Sequence, residues 1–214
     1  MSPKIYFDGS HTVTFQHGID RPSVGVEALS DKSLAILSGC TANGATHCMI
    51  DDDGNFEMVI QGPYISHKNT VCIKRDTSGL YLYLDYIRFE DNAPSGLGTM
   101  MLSRMAHEAK RLGLTHISLL AAGGTNLKYD WGENDFSGYY VWARLGFDAA
   151  LKPVMQELVD CDPQLSGSIR VSDIMTRNRD WWRTNGSGDY MEFDLSDGSL
   201  SWNTLNDILT QRGW

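Results

Sequence analysis

The sequence predicts an α+β fold built on a mostly antiparallel, twisted sheet that contains one parallel strand–helix–strand pair. Three observations carry this. "ATHCMIDDDGNFEMVIQGPY" (45–64) sets two apolar runs on either side of Asp53-Gly54, a dipeptide suited to a turn with positive φ. "NTVCIKRDTSGLYLYLDYIRFE" (69–90) repeats the pattern around Asp76-Thr77-Ser78-Gly79. Residues 80–121 then read as strand, amphipathic helix and strand, and two sheet strands joined through a helix run parallel.

The elements follow in order. Residues 4–15 are strand material broken at Asp8-Gly9, and Pro22 opens a weakly helical stretch that ends at Gly39. The two hairpins come next, the last strand running over 80–90. In the helix expected at 98–112, Met101, Leu102, Met105, Ala109 and Leu112 recur at helical spacing, with Arg104, His107, Glu108 and Arg111 opposite. Gly113 ends it, and "THISLLAAGG" (115–124) reads as a buried strand. Helices are expected at about 135–145, 152–160 and 171–184, then a strand at 189–195 and a helix near 201–212. With no repeat and no low-complexity linker, the expectation is one domain over 1–214, with helices on both faces of the sheet and a helical insertion, about 152–185, before the last strand.

Apolar residues make up 42% and charged residues 21% of the 214, the balance of an ordinary globular protein. A net charge of -9 argues against nucleic acid or an anionic membrane as the main partner. The densest basic run, 170–183 with Arg170, Arg177, Arg179 and Arg183, reads as a solvated helix face. The four cysteines form no CxxC and no metal spacing with histidine, so free thiols and no metal are expected. No apolar segment has the length of a signal peptide or a membrane span, which points to the cytoplasm and leaves signal-independent secretion open.

"NAPSGLGTMMLSRMAHEAKRLG" (92–113) passes from a glycine-bearing loop straight into a helix. Glycine is costly inside a helix, so Gly96 and Gly98 at its mouth imply that something approaches the backbone there. Amides at a helix N-terminus, with the positive end of the dipole, suit an anion. A tight strand-to-helix turn that binds nothing is the plainer alternative.

"YIRFEDNAPSGLGTMMLSRMAHEAKRLGLTHISLLAA" followed by "NDFSGYYVWARLGF" resembles the GNAT superfamily of N-acetyltransferases over residues 79–148. The resemblance rests on a strand, a glycine loop, a helix, a strand and a short helix ending in Gly-Phe. It implies acetyl-coenzyme A as co-substrate, with its pyrophosphate at Ser95, Gly96, Leu97, Gly98 and Thr99. It also implies that backbone groups of Ile87 and Phe89 pair with the pantetheine arm. Two features depart from the pattern. Ala93 stands at the Gln/Arg position of the motif and Pro94 lacks an amide donor, so Arg88 or Arg104 would have to compensate. Trp142 stands where many relatives carry a tyrosine acid, four residues before the glycine of "GF". Tyr139, one turn earlier, or the adjacent Tyr140 would supply a phenol; "GYYVW" reads equally as an aromatic core cluster. For the base that takes the amine proton, the candidates are Asp85, Glu90 and Asp91. The insertion, with Trp181-Trp182, reads as a substrate lid or as packing.

The expected function is therefore transfer of an acetyl group from acetyl-coenzyme A to an amine of a small molecule or protein. The alternatives are a catalytically inactive binding module of the same fold and a secreted effector that acetylates a host or rival protein. The acidic balance favours a cationic acceptor, and a homodimer is compatible with this reading.

Overall fold

In a computed structural model that describes residues 6–7, 9–24, 27–125 and 136–214, the chain divides into two units, Met1–Ile117 with Trp214, and Ser118–Gly213. The fold is α+β, with a mixed and mostly antiparallel sheet.

Unit 1 follows the two predicted hairpins closely. Strands β1 (Thr12–Phe15), β4 (Ala45–Ile50), β5 (Phe56–Gln61), β6 (Asn69–Arg75) and β7 (Leu80–Tyr86) lie in the order β1-β4-β5-β6-β7. From β4 to β7 every pairing is antiparallel. Alternation sends Cys48, Met58, Val71, Ile73, Leu82 and Leu84 to one buried face. Two helices, α1 (Asp31–Leu37) and α2 (Leu97–Arg111), pack on each other and contribute the buried Leu34, Leu37, Met101 and Met105 to the same core. The opposite face carries the half-buried Tyr81 and Tyr83, whose partners are the His116 ring, stacked at 4.6 Å, and the Lys74 ammonium, 4.3 Å above the ring. Strand β8 (His116–Leu120) begins beside the start of β7, where Thr115 N–H donates to Leu80 O at 2.9 Å.

Unit 1 also departs from the sequence reading. β1 pairs in parallel with β4, a pairing that the pattern did not disclose. Two parts of the expected helical stretch are strands instead: β2 (Ser23–Val24) and β3 (Glu27–Ala28) form a short antiparallel ladder. The β-branched residues and Gly25 disfavour a helix there, and helix α1 starts only where the Ser30 hydroxyl accepts the Ser33 N–H at 3.1 Å. Residues 4, 5 and 8 of the expected first strand, and residue 135 of the expected helix 135–145, lie outside the described residues.

Unit 2 contains the remainder of β8, then α3 (Gly138–Arg144), α4 (Pro153–Asp160), α5 (Val171–Arg177), α6 (Arg179–Asn185), β9 (Tyr190–Asp194) and α7 (Leu200–Gln211). The single helix expected over 171–184 is two. Asn178, at φ −152° and ψ 84°, ends α5 and uses its side chain to accept the Trp181 N–H at 3.0 Å, starting α6. β9 lies beside β8 and exchanges backbone hydrogen bonds with Asp148 on its other side. A chain of edge-to-face rings, Trp142–Phe147–Phe193–Trp202, runs through the core with centroids 5.3, 5.6 and 5.5 Å apart. The Asp148 carboxylate fastens α5, accepting from Ser172 N–H and hydroxyl at 2.9 Å each and from Arg170 Nε at 2.6 Å. Among the described residues no helix is long and apolar enough to cross a membrane.

Candidate functional site

The glycine loop of unit 1 is built by three successive turns. Glu90 O accepts Ala93 N–H at 2.9 Å, Pro94 O accepts Leu97 N–H at 3.0 Å, and Gly96 O accepts Met100 N–H at 3.0 Å. Gly96 caps α2 at φ 87° and ψ 1°, a left-handed conformation that an L-residue adopts only at a cost. Leu97 and Thr99 turn their side chains into the core, so what they present outward is backbone. Gly98 has a different reason to be glycine. A Cβ there would lie 3.2 Å from the Phe89 ring, which rests against the bare backbone.

With Leu97 N–H committed to Pro94 O, the Gly98 and Thr99 amides head the helix with no acceptor among the described residues. The strand leading to the loop adds a second set of backbone groups. Past β7, Ser66 N–H donates to Arg88 O at 3.2 Å, Arg88 N–H to Asn69 Oδ1 at 2.8 Å and Glu90 N–H to Tyr64 O at 3.0 Å. Alternation then turns the N–H and C=O of Ile87 and Phe89 to the other edge. The structure thus brings Phe89 directly against the loop and orders Ser95 to Thr99 at the head of α2.

The candidate bases are less enclosed. Thr70 pairs with Tyr86 and Val71 with Leu84, which leaves Asp85 as the extra residue of a β-bulge. Asp85 is exposed although Tyr81 and Tyr83 on its strand are half-buried, and Glu90 and Asp91 are exposed in the turn before the loop. Of the two arginines named as possible compensation, Arg104 lies over the Phe7 ring at 4.9 Å.

Tyr139 belongs to unit 2, on the first turn of α3. Its hydroxyl donates to Arg183 O at 2.6 Å and its own carbonyl accepts the Trp182 indole N–H at 3.2 Å. Tyr140 carries the Arg144 and Arg183 guanidiniums near its ring, at 5.8 and 5.7 Å. Gly146 of "LGF" has φ 100°, and a Cβ on it would stand 2.6 Å from Ser201 O of α7.

One grouping was not foreseen. Asp51, Glu57 and Cys72 bring carboxylate oxygens and a thiol within 4.8 Å of one another in unit 1. Glu57 and Cys72 are cross-strand partners, so the two hairpin registers would have revealed that pair. Burial pushes the Cys72 thiol up to about 12 and raises Glu57 as well, because it penalises the charged form of each. Burial also acts to raise Asp51, but hydrogen bonds from Asn55 and from the Asp53 amide outweigh it and hold this carboxyl below its ordinary value.

No protein-family model and no curated protein matches the chain.

Proposed function

We propose that the protein is an acetyl-coenzyme A-dependent N-acetyltransferase. The observation that carries this reading is the head of α2, where a left-handed Gly96 precedes two amides with no acceptor among the described residues, beside the outward backbone edge of Ile87 and Phe89. Such a cradle suits a diphosphate followed by an amide-bearing arm. When bound, the cofactor supplies an activated thioester. The chain's own residues then hold it, and a carboxylate, Asp85 or Glu90, takes a proton from the acceptor amine. The amine nitrogen would bond to the acetyl carbon as the C–S bond breaks, and Tyr139 or water would supply the proton that the departing sulfur takes up.

A second reading, a non-catalytic binding module of this fold, is favoured by one observation. The Tyr139 proton is already spent on Arg183 O, and the hydroxyl must leave that carbonyl to act as an acid. Chromatographic detection of coenzyme A release from acetyl-coenzyme A, with a panel of primary amines, separates the two. Amine-dependent release supports the transferase. Release no faster than in buffer, across the panel, supports the binding module.

A further inference from the structure

Unit 2 contains a cavity of about 220 Å³ that the transfer chemistry above does not use. Its floor is made by Met155, Val171 and Trp182, all buried, with Leu151 beside them and the exposed Val154 at the rim. The indole of Trp182 is fixed by its hydrogen bond to Tyr139 O, so this wall does not swing away. An apolar cavity of ~150 Å³ already admits benzene, so this one has room for a six-membered ring with a short tail.

At the mouth stands an ion pair whose members differ in how firmly they are held. Asp189 Oδ1 meets Lys152 Nζ at 2.8 Å and also accepts the Tyr190 N–H at 2.8 Å. The Asp189 carbonyl accepts Ala121 N–H at 2.9 Å, and the neighbouring Gly188 N–H donates to Gly123 O at 2.8 Å. The carboxylate is therefore anchored by its backbone, and its side chain is only 19% exposed. Lys152, with its side chain 65% exposed, precedes α4 and holds to Asp189 by a solvent-screened pair of the weak kind. When the lysine swings into water, an apolar chamber with one fixed negative charge at its mouth remains.

We infer that this cavity binds an amphipathic primary amine, an arylalkylamine in size, with its ring against Trp182 and its ammonium on Asp189 in place of Lys152. The ring gains apolar burial and an aromatic neighbour, and the ammonium replaces one cation by another at a desolvated carboxylate. An arylalkyl carboxylate of the same size is repelled by the group that an amine satisfies.

The inference rests on unit 2 alone, so it is tested without acetyl-coenzyme A, and its failure leaves the transferase reading where it stood. The full chain is titrated with phenethylamine, phenethyl alcohol and 3-phenylpropionate, following tryptophan fluorescence and amide chemical shifts. The amine is expected to bind at least tenfold more tightly than the alcohol, with shifts centred on residues 150–155, 171, 182 and 187–189. Asp189→Asn is expected to remove the preference for the amine, and Lys152→Ala to tighten amine binding severalfold by deleting the competitor. Equal or tighter binding of the carboxylate, an unchanged preference in Asp189→Asn, or no shift of these residues with any of the three ligands overturns the proposal.

Discussion

Two glycine turns carry the proposed acetyltransferase reading, and they differ in what faces the glycine. Gly96 in unit 1 and Gly146 in unit 2 both sit at positive φ, 87° and 100°. Behind Gly146 there is no room, because the Ser201 carbonyl of α7 occupies the place of a side chain and Phe147 joins the aromatic chain of the core. Beside Gly96, the Gly98 and Thr99 amides have no acceptor among the described residues. The same residue type thus serves packing in one turn and leaves donors on offer in the other. A glycine motif speaks for a ligand only where its backbone groups are not already spent.

The largest expected effect breaks the closed turn. Gly146→Ala combines a left-handed backbone with a clash against a backbone oxygen, and is expected to cost unit 2 at least ~3 kcal/mol in urea denaturation. A cost below ~1 kcal/mol would mean that α7 yields freely and that the turn is as open as the loop.

Alkaline pH separates the units next. Burial raises the Cys48 thiol to about 11 and Cys72 to about 12, and both lie in unit 1; the one cysteine of unit 2, Cys161, is exposed. A raised folded pKa stabilises fully below the unfolded value, and that stability is lost as pH rises toward the folded one. Between pH ~8.5, where an unfolded thiol ionises, and pH ~11, unit 1 is expected to lose about 1.4 kcal/mol per pH unit for each thiol. Hydrogen exchange resolved by residue reads this, and Cys72→Ala is expected to flatten the slope. A slope that survives in Cys48→Ala/Cys72→Ala assigns it to other groups.

Tyr139→Phe probes the acid from unit 2. In the transferase reading it lowers turnover by ~10²-fold with little change in coenzyme affinity, whereas Tyr140→Phe has far less effect. Unchanged turnover from pH 6 to 9 removes Tyr139 from the mechanism and leaves its hydroxyl as a tie to Arg183 O. The smallest effect belongs to the glycine at the head of α2: the positive φ of Gly96 is expected to make Gly96→Ala cost ~1–2 kcal/mol of stability. A cost as large as that of Gly146→Ala would erase the distinction between the turns.

Much of unit 1 was legible because its signals are local. Period-two alternation and the turn residues at Asp53-Gly54 and Asp76–Gly79 set β4 to β7, and the apolar spacing from Met101 to Ala109 set α2. The site was legible as a location but not as a geometry. That Gly98 makes way for Phe89 depends on a ring brought in from the preceding strand, and Asp85 becomes a bulge only through its register against Thr70 and Val71. Unit 2 was less readable. Asn178 splits an amphipathic stretch by capping the next helix with its own side chain, and the cavity at Trp182 is assembled from α4, α5, α6 and the 187–189 segment, which share no sequence pattern. The parallel pairing of β1 with β4 is likewise a long-range choice that no short motif announces.

The central claim is that the head of α2 holds the diphosphate of acetyl-coenzyme A, and calorimetric titration of the full chain tests it most directly. The account predicts saturable one-site binding with a Kd on the order of micromolar, typical of a charged cofactor, and its loss in Gly96→Gln at a temperature where that variant is still folded. No heat at millimolar ligand, or an affinity unchanged in folded Gly96→Gln, would contradict it and leave Gly96 as the pivot of a strand-to-helix turn.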